Sequence, residues 1–174
     1  MLKKVKQDKT IINALYNYIL LLSRNKLFYT KFNLIDNFQN RIYLIFIHIS
    51  FIFIKIKQNS RNQKYKIFYQ ELFDLLFNKI ELNMRELGFG DVTINKNMKF
   101  LVKAFYNILL FCESFSQKSK AGKNKFLNNF LDVNTVNKNI KNMDIVEYFD
   151  KYQAFCFDLS AESVLSGELK FNYK

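Results

Sequence analysis

Apolar positions recur along most of this chain with a helical rather than an alternating period. Leu72, Phe73, Leu76, Phe77, Ile80, Met84 and Leu87 fall three and four residues apart and leave one wet face. Met98, Leu101, Val102, Phe105, Leu109 and Cys112 repeat the pattern on a helix expected from about Asn95 to Ser114. Between the two series lies Met84-Arg85-Glu86-Leu87-Gly88-Phe89-Gly90-Asp91. The chain has only four glycines and no proline, so two glycines two residues apart mark a place where the backbone must turn. Gly88 stands where a left-handed residue ends a helix, and Phe89 is placed to fold back on the last turn. Asp91, Thr93 and Asn95 offer side-chain oxygens to cap the next helix. The pattern predicts a tight Gly-x-Gly corner between two long helices.

The same reading extends in both directions. A first amphipathic helix is expected from about Thr10 to Arg24, followed by a short connection holding Phe28, Tyr29 and Asp36. The strongest apolar run is Ile42 to Ile54, 13 residues, too short for the roughly 20 that cross a bilayer. Its β-branched and aromatic residues suit a strand; its apolar character on every side suits a buried helix. A polar linker, Lys57 to Lys64, with Gln58-Asn59-Ser60 as its breaker, leads to the paired helices. Beyond them come a basic, glycine-containing loop at Ser116 to Asn124 and a short helix near Lys125 to Asp132. An Asn-rich link follows, Asn134 to Asn142, then a helix from about Asp144 to Leu159 with Ile145, Tyr148, Phe149, Tyr152, Phe155 and Cys156 on one side. A brief helix at Glu162 to Leu165 and an extended tail close the chain. The expected fold is all-α, a compact single-domain bundle of about six to seven helices spanning residues 1–174, with its core at about 14–171.

Three segments carry a family resemblance. Phe73-Asp74-Leu75, the run Asn83 to Asp91, and Lys103-Ala104-Phe105-Tyr106 together resemble the core signature of the ubiquinol–cytochrome c chaperone family. Ala14-Leu15-Tyr16, Phe28-Tyr29, Asp36, Arg41 and His48 follow the order of the family's N-terminal half, and Leu165 to Phe171 resembles its closing segment. The family usually carries glycine before the arginine that Arg41 matches, where this chain has Asn40, and Ser116 to Met143 holds no family landmark. The resemblance implies a buried central helix for the Ile42 run. It also implies a non-catalytic assembly factor for the respiratory cytochrome bc complex, engaging newly made cytochrome b, and it allows a second assembly factor beside it.

Composition adjusts this picture. Apolar residues make up 49% and aromatics 17%, ample for a core. Lys, Asn, Ile, Phe and Tyr abound while Pro and Gly are scarce. An AT-rich genome writes such a sequence, and inflates the net charge of +12 without any nucleic-acid partner. Residues 1–64 hold 12 Lys/Arg against 2 Asp/Glu (+10), and residues 65–174 hold 15 against 13 (+2). That asymmetry suits an anionic membrane surface or ribosomal RNA, and equally a solvated basic face. Met1 to Lys9 is basic and Ile11 to Leu22 largely apolar, but Ser23-Arg24-Asn25-Lys26 lacks a small-residue cleavage pattern, so a helix is expected rather than a signal peptide. The expected place is the bacterial cytoplasm or an organelle matrix, peripheral to the inner membrane.

Candidate chemistry is sparse. Cys112 and Cys156 lie in apolar stretches without metal-ligand company, and His48 is the only histidine, so no catalytic, cofactor or metal site is expected. His48 reads as a core histidine hydrogen-bonded to a carboxylate or carbonyl. Gly88-x-Gly90 lacks the third glycine and preceding strand of a phosphate loop. The candidate partner-binding residues are Arg85, Glu86, Gly88, Gly90, Asp91, Lys99, Lys103, Tyr106, Arg41 and His48. For Arg85 a pairing with Glu81, four residues earlier, competes with a client contact. Tyr106 beside Lys99 and Lys103 suits an exposed interface anchor. Two other functions stay open: a basic helical RNA- or ribosome-binding protein, and a carrier whose 20 phenylalanines line a lipid or quinone cavity.

Overall fold

The computed structural model describes residues 2–58, 61–134, 143–167 and 169–173, with side chains from residue 10 onward apart from those of 143, 144 and 161. Among these residues eight α-helices follow in order: α1 (Leu2–Ser23), α2 (Leu27–Thr30), α3 (Phe38–Lys57), α4 (Gln63–Glu86), α5 (Asp91–Glu113), α6 (Lys120–Phe130), α7 (Met143–Asp158) and α8 (Ala161–Leu165). Two of them, α2 and α8, are single turns, and a 3-10 turn at Phe115–Gln117 joins α5 to α6. No strand forms among the described residues; one isolated antiparallel bridge links Leu34 and Val133. The all-α expectation is met. The basic arm Met1 to Lys9 has no described side chains, and Asn59, Ser60 and residues 135–142 of the Asn-rich link lie outside the described residues.

The central element is α3, which packs against α1, α4, α5, α7 and α8. It opens at Asn37, whose side-chain oxygen accepts the Asn40 N–H at 2.7 Å, an N-cap that fixes where the helix begins. Strand propensity in Ile42–Ile54 loses because neighbours cover every face of the helix, so a residue that is apolar at each position finds a partner at each position. At 20 residues α3 is long and apolar enough to span a membrane by length alone, yet 78% of its most apolar window is buried inside the bundle.

The turn between α4 and α5 is made by one glycine rather than two. Gly88 has φ +83°, its N–H bonds to the Arg85 carbonyl at 2.9 Å, and the Phe89 N–H bonds to the Met84 carbonyl at 3.1 Å. This is a Schellman termination with the left-handed position filled by glycine. Gly90 instead is extended (φ −74°, ψ 156°) at the N-cap of α5, a conformation open to any residue. The capping expectation is also corrected: no side chain caps α5, which starts four residues earlier than the sequence suggests, and Thr93 and Asn95 lie inside it. Gly88→Ala is therefore expected to cost about 1–2 kcal/mol, the strain of a side chain in left-handed backbone. Gly90→Ala, whose Cβ would meet nothing within 4 Å, should change stability by less than about 0.5 kcal/mol in the same denaturant titration.

One further boundary shifts for a local reason. The expected basic loop at Ser116–Asn124 is mostly helix: the Ser119 hydroxyl accepts the Gly122 N–H at 3.2 Å and lets α6 begin at Lys120. Lys123 consequently turns inward, 8% exposed, onto Asp150 at 2.6 Å and over the Phe115 ring at 4.7 Å. Asn40, the departure from the family's usual glycine, is fully buried. Its amide donates to the carbonyls of Ile35 (2.7 Å) and Asp132 (2.8 Å), and its oxygen accepts the Asp132 N–H (2.8 Å). Asn40 thus ties the segment before α3 to the end of α6. Asn40→Ala should destabilise the fold by about 1–2 kcal/mol, because the Asp132 N–H loses its acceptor while the Ile35 and Asp132 carbonyls keep only the N–H groups of Asn37 and Ile35; a urea midpoint measures it.

Candidate functional site

The ten candidate residues fall in three separate places. At the α4–α5 turn, Arg85 spans the break. Its Nε and Nη2 donate to Glu81 Oε1 at 3.1 and 2.8 Å, and its Nη1 donates to Asp91 Oδ1 at 2.7 Å. One guanidinium thereby holds the last turn of α4 and the first turn of α5, with both carboxylates favouring its charged form. Glu86, Gly88 and Gly90 are exposed around it, and Leu87, Phe89 and Val92 add apolar surface.

Arg41 and His48 lie on α3, away from that turn. Arg41 makes a two-pronged pair with Asp36 (Nε–Oδ1 2.6 Å, Nη2–Oδ2 2.8 Å), and this hydrogen bonding holds the Asp36 carboxyl below its usual range. His48 is wholly buried, in the core position expected for it, so any bearing it has on a partner is through the elements it positions. Its Nδ1 sits 2.6 Å from the Leu44 carbonyl and its Nε2 2.8 Å from the Tyr148 hydroxyl. A carbonyl can only accept, so Nδ1 carries the proton and Tyr148 donates to Nε2. Burial lowers the His48 pKa from 6.5 to about 4, which keeps the ring neutral. It stands edge-on to Phe28, Phe149 and Tyr152, joining α2 and α7 to the central helix.

Lys99, Lys103 and Tyr106 share the outer face of α5 with Val92, Lys96, Phe100 and Leu110, positions that recur at helical spacing. Val92, Phe100, Tyr106 and Leu110 are 85%, 58%, 45% and 63% exposed. Lys96, Lys99 and Lys103 are exposed and make no ion pair among the described residues. Cations of the N-terminal third are by contrast partly spent internally: Arg41 on Asp36, Lys57 on Glu113 at 2.7 Å, and Lys55 on the Phe157 carbonyl at 2.6 Å.

At the C-terminal end of this stripe α3, α4 and α5 enclose a groove of about 400 Å³. Phe53, Tyr65, Tyr69, Tyr106, Leu109 and Leu110 supply most of its wall, and Lys57, Lys66 and Glu113 stand among the lining residues. Phe53 and Tyr69 stack at 4.2 Å. The sequence points to Tyr106 but misses Tyr65, Lys66, Tyr69 and Leu110. The signal was there, since Tyr65 and Tyr69 lie one turn apart at the start of α4 and Leu110 interrupts a polar face. The groove lies at the far end of the hairpin from the Gly88 turn: Tyr106 is 15 residues beyond Asp91, about 22 Å at 1.5 Å per residue.

Both thiols are buried, which raises Cys112 and Cys156 well above the ordinary range and disfavours the thiolate. No cluster of three metal-ligating side chains occurs among the described residues.

Comparison with known proteins adds two findings. A profile of the family described as "Ubiquinol-cytochrome C chaperone" matches residues 30–171. The fold is similar to the crystal structure of the Cbp3 homolog from Brucella abortus, with a TM-score of 0.83 and 21% sequence identity over 98% of this chain and 93% of that one. No curated protein sequence gives a significant match.

Proposed function

We infer the function from one premise: the chain belongs to the ubiquinol–cytochrome c chaperone family. The family match over residues 30–171 is the single observation that carries the reading. The protein acts without catalysis, as an assembly factor for the ubiquinol–cytochrome c reductase complex, and holds newly made cytochrome b beside the inner membrane, on its cytoplasmic or matrix side.

The geometry supports this division of labour. The interior is filled by aromatic side chains, and the one histidine and both thiols are buried and uncharged, which leaves binding as the work of the surface. The exposed alternation of apolar residues and lysines along α5 suits a client segment leaving an anionic membrane, where each juxtamembrane lysine contributes roughly 1 kcal/mol. It suits nucleic acid less well, since Val92, Phe100 and Leu110 gain nothing from a phosphate backbone.

Purification of the tagged chain from membranes, with a photo-reactive residue at position 106, tests the client. The expected product is a crosslink to cytochrome b that disappears once the complex is mature. A crosslink to ribosomal RNA alone would assign the protein to the basic RNA-binding class.

A further inference from the structure

The groove at the end of α5 has the build of a ligand site. Its volume of about 400 Å³ lies within the roughly 300–1,000 Å³ of small-molecule sites. Its walls are aromatic and aliphatic, and its polar groups are few and specific. Lys66 makes no ion pair among the described residues, whereas Lys57 is held by Glu113. The Tyr69 hydroxyl makes no hydrogen bond among the described residues, and burial raises its pKa to about 12, so it stands as a donor beside the apolar wall. An apolar trough with a free cation and a free donor complements an anionic amphiphile: the chain matches the trough, and the head matches Lys66.

The trough also lies open along one side, bordered by half-exposed Tyr106 and exposed Leu110. A closed pocket would enfold a free fatty acid; an open trough receives one chain of a lipid whose other chain stays in the bilayer. The neighbouring stripe faces the same way. Lys103 is one turn from Tyr106, Lys99 and Lys96 continue along that face, and no acidic residue interrupts it between Asp91 and Glu113. These cations attract an anionic leaflet to the mouth of the groove.

We propose that the groove between α3, α4 and α5 takes one acyl chain of an anionic phospholipid, with Lys66 and the Tyr69 hydroxyl meeting its headgroup. The site rests on the membrane-side reading above and supplies it with a specific lipid contact.

The chain contains no tryptophan, so a single introduced indole reports on its own surroundings. Tyr106→Trp places it in the groove wall, and Phe100→Trp places it on the stripe outside. Each variant, checked for native helicity, is titrated with vesicles of phosphatidylcholine and phosphatidylglycerol, the latter with brominated acyl chains. The expected result is a blue shift and quenching at Tyr106→Trp several-fold stronger than at Phe100→Trp. Lys66→Glu in the Tyr106→Trp background should lower the apparent affinity on the order of tenfold. Equal quenching at both positions would mean surface adhesion only and overturns the site. So does quenching by brominated oleate but not by the phosphatidylglycerol vesicles. Groove variants that lose quenching while still restoring the complex in a deletion strain would sink a functional role for the lipid and leave the assembly function standing.

Discussion

Phe105→Ala is expected to destabilise the protein by about 4 kcal/mol, the largest effect of a single truncation here. The side chain is fully buried and is the meeting point of three helices. Its ring lies edge-on to Phe46 (5.3 Å) and Phe53 (5.7 Å) of α3 and to Phe73 (5.8 Å) and Phe77 (5.7 Å) of α4. Truncation removes these contacts together and leaves a void that helices tied at both ends cannot close. Phe100→Ala on the same helix, 58% exposed, should cost less than about 0.5 kcal/mol. Urea unfolding of both variants, at an unchanged slope, measures the contrast. Equal effects would mean that α5 does not seat Phe105 in the core.

The second large effect depends on pH. His48 has its pKa depressed to about 4 in the folded protein, against 6.5 when exposed. Above about pH 6.5 neither state binds the proton, and the neutral ring contributes its full stability. As pH falls from 6.5 toward 4 the unfolded chain takes up a proton that the folded protein refuses, and stability declines. The total loss by pH 4 is about 3 kcal/mol, at about 1.4 kcal/mol per pH unit. The neighbours of His48 account for the refusal. Phe28, Phe149, Tyr148 and Tyr152 face it, and none carries a negative charge to offset the proton. His48→Gln removes this titration. Between pH 7 and pH 4 the variant should lose about 3 kcal/mol less stability than the parent chain. Parallel losses would show that the ring titrates normally in the fold.

The fold was legible wherever amphipathic spacing was long and uninterrupted. Met98 to Cys112 and Ile145 to Cys156 are stripes whose buried sides are those the spacing marks. The 13-residue run in α3 was ambiguous from its residues alone, because burial on all sides erases the periodicity that separates helix from strand. Its resemblance to a known family, rather than its own pattern, pointed to a helix. Boundaries were missed where a single local bond decides them. The Ser119 cap begins α6 before Gly122, and α5 begins without any side-chain cap. Gly90 misled because glycine scarcity suggests a conformational need, yet its backbone makes no such demand.

The candidate site was only partly legible, for a different reason. Sequence finds a cation's partner only at helical spacing, as with Arg85 and Glu81, and misses partners that come from other elements. Lys123 pairs inside the bundle, Arg85 bridges two helix ends, and Lys96, Lys99 and Lys103 keep their charge for solvent, though all look alike in sequence. The groove draws Phe53, Tyr69 and Leu110 from three helices, a convergence that no local window contains. His48 was read correctly as a core residue bonded to a carbonyl; its second partner, Tyr148, is 100 residues away.

The central claim is that this chain serves assembly of the cytochrome bc complex. Its most direct test is deletion of the gene, followed by reduced-minus-oxidised haem spectra and native electrophoresis of membranes, with the chain restored from a plasmid. Assembled complex and its b-type haem signal are expected to fall sharply and to return with the intact chain. Unchanged levels of assembled complex in the deletion strain would contradict it.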